Sequence, residues 1–116
     1  MRTKILLALL VVVLAFVGIL WPFAHNETTV PARMAMRGTL RNLAAAESVY
    51  FDANHTFTSN TSELESAARF RAESGVAVTI DRADSTGWHA TATHRRLSEV
   101  CTFGGPGSPE RQPTCR

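Results

Sequence analysis

The sequence predicts an α+β protein in which an N-terminal transmembrane helix leads into an amphipathic helix packed on a small antiparallel β-sheet. Three observations carry that prediction. Residues 5–24 form an apolar run without a charge, residues 32–53 hold apolar side chains at helical spacing, and residues beyond 75 switch to strict alternation. The 116-residue chain is 45% hydrophobic with a formal charge of +2, and both averages mix two unlike parts. Arg2 and Lys4 precede the apolar run, whereas residues 25–116 carry arginines and acidic residues in equal number. That neutral remainder excludes nucleic acid as a partner, because phosphate contacts need surplus cations.

The first element is Ile5 to Ala24, ILLALLVVVLAFVGILWPFA. At a helical rise of about 1.5 Å per residue, about 20 residues cross a hydrocarbon layer of about 30 Å. Arg2 and Lys4 flank it on one side, Trp21 and Phe23 on the other. Basic flanks stay in the cytoplasm and aromatic rings settle at the interface. These features predict a single-pass membrane anchor, residues 1–24. Its partner is membrane lipid along residues 5–24, its N-terminus is cytoplasmic, and residues 25–116 form an extracytoplasmic head. A cleaved signal peptide shares the basic start and apolar core. Cleavage after Ala24 would place Pro22 where a small residue belongs.

His25 to Pro31 is polar and reads as a short linker or a broken helical stretch. Pro31 suits a helix start. From Ala32 onward Met36, Leu40, Leu43, Ala44 and Tyr50 recur at helical spacing, with Ala46 and Val49 beside them, which predicts a helix over about 32–53. Arg33, Arg37 and Arg41 read as its solvated face. Asn54 to Ser62 is a polar loop around one buried aromatic, Phe57. Thr61 or Ser62 is expected to cap a short helix over Glu63 to Ala68.

The sheet is expected over about 69–103. Val76, Val78 and Ile80 alternate with Ala77, Thr79 and Asp81, and Trp88, Ala90 and Ala92 alternate with His89, Thr91 and Thr93. Arg82 to Gly87 is the turn of this hairpin. Leu97 to Phe103 supplies a third strand with Val100 or Cys101 inward, and Arg69 to Ala72 an edge strand. One helix covers one sheet face.

Cys101 and Cys115 are the chain's two cysteines, and the stretch between them holds three glycines and three prolines. A bridge would close a ring of about 15 residues and contribute about 3 kcal/mol on the chain-entropy model. Two free thiols are the alternative, disfavoured in an oxidising compartment.

Other chemistry is sparse. His89 and His94, five apart on a strand, do not share a face, and His25 and His55 lie in polar loops. Asp81, Asp84 and Ser85 flank a turn, where such residues are ordinary, and calcium binding is the lesser reading. No nucleophile elbow, phosphate loop or paired-carboxylate signature is present. No catalytic, cofactor or metal residue is nominated, and no enzyme activity is expected.

The order of parts resembles type IV pilins and the related pseudopilins across most of the chain. The run Leu6 to Val13 with Gly18-Ile19-Leu20 is similar to the pilin N-terminal helix, and Leu40 to Phe51 to its exposed half. Asp52 to Thr58 resembles the asparagine–aromatic turn that follows. Gly75 to Ile80 and Gly87 to His94 resemble two strands of the pilin head, and Cys101 with Cys115 a C-terminal disulfide loop. The resemblance implies a non-enzymatic, membrane-anchored structural subunit of a type IV pilus or a type II secretion-type filament system. Its partners would be other pilin-like subunits, in the membrane or in a cell-surface filament. An exported or anchored monomeric binding domain is the alternative.

Overall fold

The computed structural model describes residues 29–116. The apolar segment 5–24 and the anchor predicted for it, together with His25, lie outside the described residues. Within them no helix is long and apolar enough to cross a membrane.

Helix α1 spans Thr29–Asn54, so it begins before the predicted boundary and takes in the end of the expected linker. α1 is already helical at Thr29, the first described residue, and Pro31 lies within it. Ala32, Met36, Leu40, Leu43 and Ala46 are buried on one stripe, and Thr39 and Glu47 are buried with them. Val49, expected beside that stripe, is instead 52% exposed.

Helix α2 spans Thr61–Ala68. Its cap is Asn60, not Thr61 or Ser62: the Asn60 side chain accepts the Ser62 N–H at 3.0 Å. Asparagine in extended backbone satisfies an orphan first-turn donor, and the helix starts one residue later. Arg69 ends the helix in the left-handed region at φ 55°, with its N–H bonded to the Leu64 carbonyl. That reversal removes the expected edge strand at Arg69–Ala72, which is not a strand. The Phe70 N–H also turns back to the Leu64 carbonyl, at 3.2 Å.

The sheet has four strands: β1 (Val76–Ala83), β2 (Trp88–His94), β3 (Val100–Gly104) and β4 (Thr114–Cys115). They pair in the order β1-β2-β3-β4 as an antiparallel meander. The sheet therefore starts later than expected and ends at Cys115. β1 continues through Arg82 and Ala83, which the sequence placed in the turn, with a bulge between Ile80 and Arg82 that leaves Asp81 without a Cα partner. β3 begins at Val100, not Leu97, and of the two inward candidates Cys101 is buried and Val100 only half-buried.

Alternation sorts the two faces. Trp88, Ala90, Ala92 and Cys101 join Met36, Leu40, Leu43, Leu64, Phe57 and Phe70 in one core. Trp88 meets Phe103 edge-on at 5.8 Å, and Phe51 stacks on Phe57 at 4.6 Å. Phe57 is thus the buried loop aromatic expected from the sequence. On the opposite face the register aligns Thr79, Thr91, Thr102 and Thr114 in one row across all four strands.

Candidate functional site

Two constructions stand apart from ordinary packing. One is the C-terminal loop closed by the cysteines, the other a buried carboxylate that holds the loop after α1.

Cys101 and Cys115 are disulfide-bonded, with sulfurs 1.97 Å and Cα atoms 4.0 Å apart. The bridge adds a side-chain link to a strand pair already in place, since β3 and β4 set Cys101 directly opposite Cys115. Val100 and Arg116 exchange both backbone hydrogen bonds at 2.9 Å just beyond it. Cys101 is fully buried, so the bridge ties the tail into the core.

The loop between the cysteines rests on β2. The Gly105 N–H reaches the Trp88 carbonyl at 2.9 Å. A Cβ at Gly105 would stand 2.0 Å from the Trp88 indole nitrogen, so only glycine allows this approach. Glu110 accepts from Ser108 Oγ at 2.9 Å and from Thr102 Oγ1 at 3.3 Å. Its carboxylate also lies 3.7 Å from His89 Nε2. The other His89 nitrogen is 3.1 Å from Asp81, which accepts from Thr91 Oγ1 at 2.7 Å. His89 thereby joins β1, β2 and the disulfide loop. The sequence placed it on β2 without a role.

Glu47 is fully buried on the core stripe of α1. One carboxylate oxygen accepts the Thr58 backbone N–H at 3.0 Å, and the other has no hydrogen-bond partner among the described residues. Burial raises its pKa above the usual carboxylate range, against the opposing effect of the Thr58 N–H. The same loop is held from the sheet side, where the Phe57 N–H donates to the Asp84 carbonyl at 3.1 Å. Glu47 belongs to no sequence motif. Its signal was position: Met36, Leu40, Leu43 and Tyr50 leave a gap in the helical stripe at 47.

The arginines of α1 are not a uniform solvated face. Arg33 makes a two-pronged pair with Glu99, at 2.7 and 2.6 Å, tying α1 to the start of β3. That hydrogen-bonded pairing raises the Arg33 pKa and lowers that of Glu99. Arg37 is half-buried, with its Nε lacking a partner among the described residues, and Arg41 is exposed.

The turn residues considered for calcium serve the turn. Asp84 accepts from Thr86 N at 2.8 Å, from Gly87 N at 3.1 Å and from the Thr86 hydroxyl. These bonds, the Thr86 hydroxyl's foremost, hold the Asp84 carboxyl at about 2. Ser85 is exposed beside it. His55 sits at φ 58° after the end of α1, and His94 Nδ1 accepts the Arg96 N–H at 3.1 Å. Among the described residues no three His, Cys, Asp or Glu side chains converge as a metal ligand set.

Compared with known proteins, the chain matches no family model and no curated protein. The arrangement can present a polar sheet face and a pinned C-terminal loop at the end of a long helix.

Proposed function

We propose that this chain is a membrane-anchored, pilin-like structural subunit without enzymatic activity. The order of parts carries the reading: an uncharged apolar run, a 26-residue helix, then an antiparallel sheet closed by a C-terminal disulfide. In this reading residues 5–24 lie in the inner membrane or pack with neighbouring subunits, and the head faces outward. The Arg33–Glu99 pair and the disulfide support it by fixing the head to its helix and its tail to the sheet. Such links suit a subunit that bears load through its N-terminal helix. The test is to shear cells and probe the released fibre fraction for the chain. Its presence there, abolished by deleting residues 5–24, is expected. Absence from that fraction with full retention in the membrane contradicts a filament role.

A second reading, an anchored monomeric binding domain, has its own observation. Pilins carry a glycine before their processing site, usually a phenylalanine after it, and a glutamate near the mature start. Thr3, Lys4 and Ala8 stand in those places. In this second reading the chain stays in the membrane intact and never enters fibres.

A further inference from the structure

β1 is an edge strand: it pairs with β2 alone, and no backbone group of Ala77–Ala83 bonds to the backbone of any described residue outside β2. An open edge of this kind is a template for another strand, and proteins usually blunt it with charge, proline or a bulge. Here the blunting covers only half of the strand. Asp81, Arg82 and the bulge protect its end, while Val76-Ala77-Val78-Thr79-Ile80 has neither charge nor proline and four β-branched residues.

The opposite edge constrains what could pair there. β4 is two residues long, and Arg116 beyond it is tied back to Val100. A β1 strand therefore finds no edge of matching length on the far side of a neighbouring sheet. Within this chain the one described strand with a long open edge is β1 itself.

From these observations we infer that two copies of this chain pair through β1, antiparallel and edge to edge, into a continuous eight-stranded sheet. The bulge after Ile80 stops the ladder on each copy, which sets the register. Val78 lies at the two-fold axis, Ala77 faces Thr79 of the other copy, and Val76 faces Ile80. The alternate residues Ala77 and Thr79 are exposed. Beyond each end of the ladder the exposed Arg82 of one copy, whose partner in its own chain is Asp84 at 3.1 Å, comes near the exposed Glu73 of the other. Because both partners use the same edge, the contact closes at two copies and does not propagate. The inference does not depend on the filament reading.

The test co-expresses two differently tagged full-length copies in membranes and scores mixed pairs. Ala77→Cys on one copy and Thr79→Cys on the other are expected to form a mixed disulfide under mild oxidation, since facing Cα atoms stand about 4.5–5.5 Å apart. Ser98→Cys, on an exposed site away from β1, is the control and should give no more than background. Co-purification of tagged copies carrying both Ala77→Lys and Thr79→Lys should fall about tenfold through like-charge repulsion. Mixing that lysine form with a copy carrying Ala77→Glu and Thr79→Glu should restore it. Rescue by charge exchange separates pairing from misfolding. Cross-linking no stronger than the control, or co-purification indifferent to the lysines, overturns the inference. The second result would place any association in residues 5–24.

Discussion

The buried carboxylate of Glu47 accepts the backbone N–H of Thr58, eleven residues further along the chain, at 3.0 Å. It satisfies a loop donor that would otherwise lack a partner, at the cost of a carboxylate buried on the core stripe of α1. Because burial raises its pKa, the folded state holds the Glu47 proton more tightly than the unfolded chain does. Its contribution to stability is full below the ordinary carboxylate range and is lost as pH rises through the raised value. Glu47→Gln keeps the acceptor and removes the charge. Thermal unfolding at pH 4 and pH 8 should show the variant gaining on the parent as pH rises. Glu47→Ala leaves Thr58 unpaired and should cost about 1–3 kcal/mol. A Glu47→Gln variant that loses ground at pH 8 would contradict this account of the loop.

Asp84 gives the opposite sign. Its carboxyl is held at about 2 by the Thr86 hydroxyl and the Thr86 and Gly87 N–H groups. Stability from this group is complete above the unfolded value and disappears as pH falls through about 2. A carbon-13 NMR titration should place the Asp84 midpoint near 2. Thr86→Val should move it upward by removing the foremost of those bonds.

The disulfide closes a loop of 14 residues in sequence separation and should contribute about 3 kcal/mol. Reduction, or paired replacement of Cys101 and Cys115 by serine, is expected to lower the melting temperature by roughly 15 °C for a domain of this size. Proteolysis should then cut first between Gly104 and Thr114. Unchanged melting after verified reduction would show that β3–β4 pairing suffices.

Gly105 makes a sharper probe of the same loop. Gly105→Ala puts a methyl into the Trp88 indole and should cost about 1–3 kcal/mol by overpacking. Gly107, where an added Cβ meets nothing, has φ 87°, so Gly107→Ala carries backbone strain without a clash. Chemical denaturation of the two variants separates steric from conformational cost.

What was legible in the sequence follows from how local each signal is. The helical stripe at Met36, Leu40 and Leu43 and the alternation at Trp88, Ala90 and Ala92 are periodicities of a single element, and both elements formed where expected. The burial of Phe57 could be read because it is an isolated ring in a polar loop. Boundaries decided by one bond were not legible. Asn60 outcompeted Thr61 and Ser62 for the cap, and the Arg69 reversal removed a strand that composition alone permitted. β4 escaped notice because two residues among glycines and prolines carry no pattern, and they form a strand only because β3 is beside them. Of the candidate site, the cysteine pair was visible. The Glu47–Thr58 bond and the His89 link between Asp81 and Glu110 were not, because each depends on segments brought together by folding.

The central claim is that the working chain keeps residues 5–24, as a membrane anchor or as the helix that packs with neighbouring subunits. Intact-mass determination of the chain extracted from membranes tests this most directly. A chain that begins at Met1 or near Lys4, and so retains the whole apolar run, is the expected result. A soluble chain that begins near His25 would contradict it.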